Sequence, residues 1–316
     1  MVKQVEPTSY PGFREMIAAL GPAAAVNASL AIYAGVGVGG PADALIIAQT
    51  RDEMIRAIGI ADSFSIPWRV YGSLTNVLLP DSGLRGLVIL NHLRAYEFTD
   101  NNGLVSESGV IMVKVAREAI RMGRGGLVWA VGLPGTIGGA VVNNAGAFGG
   151  EISRILTSAE VFNPGSGIQH VDSSWFDFEY RYSKLKAKST TAIVLDAHFQ
   201  LKSRDRQAME AKAEEYTARR RRTQPAGKTL GSTFKNPEGD YAGRLIEAAG
   251  LKGMRKGGFV ISHQHANFFI NEGNGLAADY RALIKLAQDA VMTQYGIALE
   301  PEIEILPEEE RLLTLS

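Results

Sequence analysis

The segment GLPGTIGGAVVNNAGAFGGE, residues 132–151, places the strongest constraint on how this chain can fold. It contains seven glycines and three alanines, and it has no Lys, Arg or His. Glycine weakens the interiors of helices and strands, so this density requires a physical reason. Either the main chain turns where only glycine is tolerated, or a large group lies directly against it. Neither the G-x-G-x-x-G fingerprint nor a Gly-Lys-Ser/Thr phosphate loop is present.

Composition alone leaves two interpretations of this segment open. Bare main chain with exposed N–H groups can approach a pyrophosphate, and Gly and Ala surfaces allow a flat ring to lie close. The alternative is a glycine-rich turn that packs tightly between two domains. Composition gives these two interpretations about equal weight.

The overall composition narrows the class of protein. A chain of 316 residues suggests two or three packed units rather than a single core. Lys and Arg total 33, as do Asp and Glu, so no global field favours nucleic acid or an anionic membrane. The lack of cysteine excludes disulfides, thiolate catalysis and cysteine-ligated metals. The start of the chain has no long apolar run of a secretory signal or membrane helix, which predicts a cytoplasmic protein.

Local patterns predict a mixture of helices and strands. Thr50 and Glu53 form the Ser/Thr-x-x-Glu pattern of a capping box, so a helix should begin there. The flanking runs ALIIA and WRV are typical of strands and predict a β-α-β unit. GLRGLVIL predicts a buried strand, and GVIMVKVAREAIRMG has helical spacing that ends at Gly123 or Gly125. SAEVFNP, IQHVD and TAIVLDAHFQL predict paired strands, so the class is α+β.

The last third of the chain predicts a long charged helix and another α+β unit. The charged helix ends before Pro225. Its arginine run, residues 219–222, is expected to be a solvated face because nearby glutamates balance it, and a nucleic-acid patch is the weaker alternative. A later helix has an apolar stripe at three-four spacing that should be buried. This stripe consists of Tyr280, Leu283, Ile284, Ala287, Val291 and Tyr295.

The histidines give little evidence for a metal site. His263 and His265 lie in the sequence ISHQHANF, where a strand would place both side chains on one face. No third ligand lies near them in the sequence. We therefore expect no bound metal.

Six groups of motifs occur in a fixed order over about 270 residues. The first three are VGGPADALIIAQTRDEM, YGSLTNVLLPDSGLRGLVI and VGLPGTIGGAVVNNAGAFGGEI. The others are FEYRYSKLK, LGSTFKNPEGDYAGRLIEAAGLKG, and finally ISHQHANFFIN with LEPEIEIL. Together they closely resemble the motifs of UDP-N-acetylenolpyruvoylglucosamine reductases, also called UDP-N-acetylmuramate dehydrogenases. The short interval between Arg181 and Ser232 is similar to compact members, which lack a long loop over the substrate.

The resemblance implies a fold, a cofactor and a reaction. The fold is α+β: a two-subdomain FAD-binding fold of the PCMH type, like that of vanillyl-alcohol oxidase, followed by a C-terminal α+β substrate-binding domain. The implied boundaries are residues 1–85, 86–204 and 205–316. The implied reaction uses non-covalent FAD and NADPH to reduce UDP-N-acetylglucosamine enolpyruvate to UDP-N-acetylmuramate for peptidoglycan synthesis. A UDP-sugar is the expected partner, with no nucleic acid and no membrane, and the protein is expected to be a monomer.

The resemblance also assigns roles to individual residues. Arg181 and Glu302 would stabilise an enolic intermediate, and Ser232 would protonate its α-carbon. As alternatives, Arg181 would be a surface ion-pair partner, Glu302 part of an acidic strand and Ser232 a turn hydroxyl. The implied substrate-binding residues are Tyr180, Lys235 and Asn236. The implied cofactor-binding residues are Gly72, Ser73, Leu74, Thr75, Asn76, Gly132, Pro134, Gly135, Thr136, Gly138, Gly139, Asn144, Ala145 and Val194.

Several positions depart from the family pattern. Residues 34–37 read Ala-Gly-Val-Gly where Asn-Thr-aromatic-Arg is usual, which removes polar contacts near the flavin. Leu74 replaces an expected glycine and is expected to narrow the pyrophosphate cradle. Val128 stands where glutamate is common, and Gln264 where lysine is common. Two alternatives follow: a related flavoenzyme with another unsaturated substrate, or a non-catalytic flavin-binding paralogue.

Overall fold

The computed structural model describes residues 10–308, which form three packed units. The elements of the first unit are α1 Phe13–Leu20, β1 Ala25–Ser29, β2 Pro41–Ala48, α2 Arg51–Ser63, β3 Trp68–Tyr71, β4 Val77–Leu78 and β5 Leu84–Asn91. Its sheet has the order β1-β2-β5-β3, in which β2, β5 and β3 are parallel and β1 is antiparallel. The apolar sides of α1 and α2 pack against this sheet in one core.

The second unit is built on an antiparallel sheet of five strands. Its elements are β6 Tyr96–Phe98, β7 Gly103–Glu107, α3 Met112–Arg121, β8 Arg124–Gly125, α4 Ile137–Val142, β9 Gly146–Ala147, β10 Gly150–Glu151, β11 Leu156–Asn163, β12 Gly167–Asp172, β13 Ile193–Gln200 and β14 Lys202–Ser203. The sheet order is β12-β11-β13-β7-β6. Helices α3 and α4 contribute to its core, which places the glycine-rich segment against the sheet.

The rest of the described chain is a small α+β unit with a long helix before it. Its elements are α5 Arg206–Thr223, α6 Ala242–Ala248, β15 Arg255–Lys256, β16 Phe259–Ile261, β17 Phe269–Asn271, α7 Ala277–Tyr295 and β18 Glu304–Ile305. Strands β15, β16 and β17 form a sheet that shares a core with α6 and α7. Short 3-10 helices lie at Gly21–Ala23, Val128–Ala130, Ile152–Arg154 and Ser173–Phe176.

The end of the chain returns to the first unit. Strand β18 pairs in parallel with β4, so that Glu304 lies opposite Val77 and Ile305 opposite Leu78. The main-chain N–H of Glu304 donates to Asn76 O at 2.9 Å. This pairing closes the third unit onto the loop that precedes β4.

The sheets and cores place two boundaries differently from the sequence prediction. Strand β5 continues in the first sheet to Asn91, so the first unit does not end at residue 85. The predicted third domain begins at residue 205, but Met209 of α5 is buried in the core of the second unit. Helix α5 packs there because its few apolar side chains face α3 and the 3-10 helix before α4.

The local predictions agree closely with the elements. Thr50 and Glu53 form both hydrogen bonds of a capping box at the start of α2. Helix α3 ends at Arg121, and Gly123 follows with a positive φ of 71°. The stripe of α7 is buried as predicted except for Tyr295, which is 39% exposed. That part of the prediction is wrong because the last turn of the helix, residues 292–295, faces solvent.

A cluster of charged side chains joins the first two units. Arg51, in the first turn of α2, forms ion pairs with Glu107 of β7, Glu160 of β11 and Asp196 of β13. Asp196 is only 3% exposed and also lies 3.0 Å from His198 Nε2. The hydrogen bond from Arg51 lowers the pKa of Glu160. One guanidinium therefore offsets the repulsion between three carboxylates.

Replacing this guanidinium should destabilise the contact between the two units. We expect Arg51→Met to lower the free energy of unfolding by about 2 kcal/mol, between the values of exposed and buried ion pairs. A carboxylate with a lowered folded-state pKa contributes stability above its unfolded-state pKa and loses it as the pH falls through the folded-state value. The difference from wild type should therefore shrink in acid. Urea unfolding at several pH values measures it.

Arg56→Met provides the control, because Arg56 lies on the same helix and, among residues 10–308, its side chain makes only a 3.4 Å hydrogen bond to Ala19 O. Its effect should stay within about 0.5 kcal/mol, as for most surface substitutions. Equal losses in the two variants would contradict a specific role for the cluster.

Candidate active site

The predicted flavin loop, residues 72–76, lies between β3 and β4 and contacts the glycine-rich segment. A Cβ atom at Gly72 would overlap Thr136 Oγ1. Asn76 Nδ2 donates to Asn143 Oδ1 at 3.1 Å. The two segments that were assigned to FAD from the sequence therefore form one continuous surface.

The predicted cofactor-binding residues differ in how far they are exposed. Gly72, Ser73, Thr75, Asn76, Gly135 and Ala145 are half-buried, Gly132, Pro134 and Gly139 are exposed, and Leu74, Thr136, Gly138, Asn144 and Val194 are buried. Thr136 caps α4 by accepting from Gly139 N–H at 3.3 Å. The half-buried and exposed members are those that can contact a ligand directly.

The glycines of this segment do not share one role. Gly138 donates its N–H to Ser108 O at 2.8 Å, and a Cβ there would lie 2.8 Å from Ser108 Cβ. A Cβ at Gly150 would overlap the ring of Trp129. Close packing is thus the reason for glycine at these two positions. For exposed positions such as Gly139, contact with the cofactor stays a prediction.

Leu74 occupies a main-chain conformation that favours glycine. Its φ is +48°, in the left-handed region, where a side chain costs about 1–2 kcal/mol. The side chain is only 3% exposed and packs in a core with Leu30 and Leu79. The expected narrowing of the pyrophosphate cradle is therefore wrong, because burial directs this side chain away from the surface and offsets the strain.

Two other predicted cofactor residues have structural contacts. Asn144 Nδ2 donates to Glu179 O at 2.9 Å, and its Oδ1 accepts from Ser153 N–H at 3.0 Å. This side chain therefore ties the glycine-rich segment to the segment that carries Arg181. Val194 lies in β13 within the core of the second unit.

Arg181 and Glu302 form a half-buried ion pair. Arg181 Nε lies 2.8 Å from Glu302 Oε1, and the two side chains are 19% and 18% exposed. Arg181 has a positive φ of 56° and donates from Nη2 to Gly146 O at 2.6 Å, which fixes it against the glycine-rich segment. Burial raises the pKa of Glu302, although the charges of Arg181, Lys186 and Lys235 oppose this shift.

Ser232 lies on the chain segment that runs beside Glu302. Phe234 forms an antiparallel bridge with Pro301, and Glu302 N–H donates to Thr233 O at 2.8 Å. Ser232 is half-buried and immediately precedes Thr233. The structure thus brings the three predicted catalytic residues to one region, from three separate parts of the sequence.

The predicted substrate residues border this region. Tyr180 is 52% exposed, and the guanidinium of Arg181 lies 5.5 Å from the centre of its ring. Lys235 forms an ion pair with Glu300. Asn236 is exposed, but its Oδ1 accepts from Ala242 N–H at 3.2 Å at the start of α6. Contact of these residues with substrate stays a prediction.

Sequence reasoning missed Arg220. The arginine run was expected to be a solvated face, yet Arg220 turns inward, and a Cβ at Gly132 would lie 2.7 Å from its Cδ. Its Nε is buried without a hydrogen-bond partner, and within the described chain no carboxylate pairs with it. Burial, followed by the charge of Arg181, lowers its pKa. Only the other arginines of the run fit the prediction.

Lys186 was also missed, although it lies in the FEYRYSKLK motif. Its Nζ donates to Glu302 O at 2.9 Å. Burial lowers the pKa of this ammonium. Its position, five residues after Arg181, could have identified it as a site residue. However, a lysine in a run of three alternating lysines is most often a surface residue.

The positions that depart from the family pattern differ in their surroundings. Gly35 N–H donates to Leu74 O at 3.2 Å. The side chain of Lys228 covers Gly37, with its Cδ 2.9 Å from a Cβ built there. Gln264 Nε2 donates to Arg222 O at 3.0 Å and so caps the end of α5. Val128 lies in a 3-10 helix against the second core.

His265 has a structural role in the protein. It is half-buried, and this desolvation lowers its pKa, while its Nδ1 accepts from Asn267 N–H at 3.2 Å. Within residues 10–308, no three or more His, Cys, Asp and Glu side chains are grouped in a way that could hold a metal ion. In the same range no helix is long and apolar enough to cross a membrane.

Comparisons with known proteins agree with this geometry. Residues 224–306 match the UDP-N-acetylenolpyruvoylglucosamine reductase C-terminal domain, and residues 42–172 match an FAD binding domain. The chain is 41% identical over 277 residues to the UDP-N-acetylenolpyruvoylglucosamine reductase of Caldicellulosiruptor saccharolyticus, covering 86% of this chain and 88% of the relative. It belongs to the UDP-N-acetylenolpyruvoylglucosamine reductase family. The reductase of Clostridium botulinum is 38% identical over 288 residues, 90% of this chain and 93% of the relative.

A crystal structure extends the family relationship to the fold. The UDP-N-acetylenolpyruvylglucosamine reductase from Thermus caldophilus superposes with a TM-score of 0.77 at 34% identity, covering 90% of this chain and 98% of the other. The predicted fold class, an FAD-binding unit followed by a C-terminal α+β domain, is confirmed. Like its family, the protein is an FAD-dependent oxidoreductase.

The residues of the site fit a flavin dinucleotide. The cradle at Gly72 and Thr136 has no room for a further side chain. Gly132 and Gly139 expose main chain nearby, which a pyrophosphate can approach. Small residues and open main chain are what such a planar ligand with a pyrophosphate requires.

Gly72→Ala should weaken FAD binding. The added Cβ would overlap Thr136 Oγ1, so one of the two segments must move. Overpacking of this kind costs about 1–3 kcal/mol, which corresponds to a loss of FAD affinity of about 5- to 150-fold if the cost falls on the bound state. Titration of the apoprotein with FAD measures the change.

Gly59→Ala is the matched control, because nothing lies within 4 Å of its Cβ position in α2. This substitution should leave FAD affinity unchanged and stabilise the helix by about 0.5–1 kcal/mol. Unchanged FAD affinity in both variants would contradict the proposed contact between the flavin loop and the cofactor.

Proposed function

We propose that this enzyme reduces UDP-N-acetylglucosamine enolpyruvate to UDP-N-acetylmuramate with NADPH as the hydride donor, and that it serves peptidoglycan synthesis. The names of its relatives support the substrate class. The observation that carries the proposal is the half-buried pair of Arg181 and Glu302 beside the flavin loop. A site that reduces an enolpyruvyl ether needs a cation and an acid at this place.

The chemistry of the substrate explains why these two residues are needed. When bound, the flavin supplies the hydride exchange. Hydride addition to the β-carbon of the double bond would leave negative charge on the α-carbon and its carboxylate until a proton is added to the α-carbon. Arg181 provides a fixed cation for this charge, and its bond to Gly146 O prevents reorientation. Electrostatic preorganisation of this kind is a major source of catalysis.

Glu302 is suited to hold a proton near the developing charge. Burial raises the pKa of its carboxyl group, so the acid form is favoured more than in an exposed glutamate. A protonated carboxyl group can donate a hydrogen bond to the enolate, and Arg181 keeps it in place. Ser232 is the group that we assign to delivery of the proton to the α-carbon.

The cations around the site fit an anionic nucleotide-sugar. Arg220 has an unused buried N–H group, and Lys235 lies near Glu302 with its ammonium paired only to an exposed acid. Both can bind phosphate or carboxylate oxygens by charge-assisted hydrogen bonds. Tyr180 offers an exposed ring at the border. We assign these three residues to substrate binding.

Separate half-reactions test the proposed function. The purified protein, kept anaerobic, should lose its flavin absorbance when NADPH is added. Addition of UDP-N-acetylglucosamine enolpyruvate should then restore that absorbance and yield UDP-N-acetylmuramate. Reduction without reoxidation would favour a flavoenzyme with another unsaturated substrate. A protein that binds FAD but is not reduced would favour a non-catalytic paralogue.

Ser232→Ala should affect only the second half-reaction. General acid catalysis typically contributes about 10²–10⁴-fold, so reoxidation by the substrate should slow by a factor in this range. Reduction by NADPH should stay within about twofold of wild type. A parallel decrease in both half-reactions would instead indicate a structural role for this serine.

Arg220→Gln should weaken substrate binding more than it slows reoxidation. A hydrogen bond to a charged group contributes about 1.5–3 kcal/mol, so the apparent Kd of the nucleotide-sugar should rise about tenfold or more. Arg219→Gln, one residue earlier and exposed, is the control and should leave Kd unchanged. Similar effects of the two substitutions would show only a general loss of positive charge.

A further inference from the structure

Lys186 occupies an unusual place for a lysine. It lies in the loop before β13, where its main-chain N–H donates to Ser183 Oγ at 3.2 Å. The buried hydroxyl of Ser183 in turn donates to Val142 O, at the end of α4, at 2.6 Å. The main chain at Lys186 is therefore anchored to the glycine-rich segment, and its side chain extends from a fixed base.

The side chain of Lys186 ends on the main chain of a catalytic residue. Its Nζ donates to Glu302 O at 2.9 Å. The same carbonyl lies 3.4 Å from Asn76 Nδ2, a residue of the flavin loop. The carbonyl of Glu302 is therefore held by one side chain from the first unit and one from the second. The segment that carries the acid belongs to the third unit.

Stability alone does not account for this arrangement. Among the described residues, no carboxylate lies within 4.0 Å of the Lys186 ammonium as an ion-pair partner. Burying an ammonium against a neutral carbonyl costs desolvation energy that an apolar side chain of similar length would avoid. When a protein keeps such an unfavourable desolvation energy at a functional site, the residue concerned often has a role in the reaction.

The charges that face Lys186 come from each segment that meets at the site. Arg181 lies on the same loop, Lys235 follows Ser232, and Glu302 and Glu304 lie on the C-terminal segment. Two of these groups are cations and two are carboxylates, so with the ammonium three cations and two carboxylates meet around Glu302. Its charge opposes the effect of burial on the Glu302 carboxyl group.

We infer that Lys186 is a positioning residue for Glu302: its ammonium holds the main-chain carbonyl, and so fixes the carboxyl group against Arg181 where the developing charge arises. The inference rests on the proposed function only for its consequence in catalysis. The hold on Glu302 and its electrostatic effect are properties of the protein itself. A displacement of a reacting group by about 1 Å can cost about 10²-fold in rate.

The first experiment measures Glu302 without any substrate. The protein is labelled with ¹³C at glutamate side-chain carboxyl groups, and the Glu302 signal is identified as the one absent from Glu302→Gln. Its titration should move to higher pH in Lys186→Met, because an opposing positive charge is lost. Lys186→Arg keeps the charge and should titrate close to wild type. If the Glu302 titration does not move to higher pH in Lys186→Met, the inference is overturned.

Lys188→Met is the matched control. Lys188 lies two residues later, is more exposed, and pairs with Glu304 at 3.3 Å instead of with Glu302. The Glu302 titration in this variant should equal that of wild type. A shift as large as that of Lys186→Met would show that any lysine of this loop has the same effect, and would contradict a specific contact.

The second experiment measures the two half-reactions. In Lys186→Met, reoxidation by UDP-N-acetylglucosamine enolpyruvate should slow by about 10- to 100-fold, with the apparent Kd of the substrate within about threefold. Reduction by NADPH should be unchanged. The limb of the pH profile that Glu302→Gln removes should move to higher pH. If Lys186→Met instead removes this limb of the pH profile completely, Lys186 itself titrates in the reaction, and the inference is contradicted.

The two experiments separate this inference from the proposed function. Failure of the wild-type enzyme to be reoxidised by this substrate would refute the proposed substrate, while the carboxyl titration still decides the role of Lys186. Should Lys186→Met lose its thermal unfolding transition, Lys186→Arg takes its place. Lys186→Arg keeps the charge but carries its N–H donors on a larger, planar group. We expect this change to displace Glu302 O and slow reoxidation while the titration stays unchanged, and wild-type reoxidation would contradict positioning.

Discussion

The pairing of the last strand with β4 is the interaction on which the candidate site depends. It joins the C-terminal end of the described chain to the strand that follows the flavin loop. Glu304 N–H binds Asn76 O, and Leu306 N–H binds Leu78 O. Because these are main-chain hydrogen bonds, they fix the register of the Glu302 segment relative to the flavin loop. The contacts of Glu302 with Asn76, Lys186 and Arg181 depend on this register.

Charge distribution explains why this site is specialised for anionic ligands. Three cations, Arg181, Lys186 and Lys235, act on the carboxyl group of Glu302, and Arg220 in turn lies near Arg181. Partial burial reduces the screening of these charges by water. The protein as a whole has a formal net charge of zero, so this local excess arises from folding. The nucleotide-sugar and the developing enolate of the proposed reaction would both bring negative charge to this site.

Glycine is required in this structure for two separate physical reasons. At Gly72 and Gly138, a Cβ would overlap or crowd a neighbouring segment, so glycine permits close approach. At the exposed Gly139, main-chain groups remain accessible to a ligand. Leu74 shows the cost of departing from glycine: its left-handed conformation is strained, and burial of its side chain in the first core offsets that strain.

The sequence by itself determined the elements and the family. The capping box of α2, the glycine stop after α3 and the stripe of α7 follow from local geometry, so they could be predicted without tertiary contacts. Ordered motifs were enough to assign FAD binding and to select Arg181, Ser232 and Glu302. Only the tertiary structure decided that Arg220 turns inward, that Leu74 faces a core and that Lys186 holds Glu302 O. These depend on segments far apart in the chain, because burial and desolvation are set by what packs against a residue and not by its neighbours in sequence.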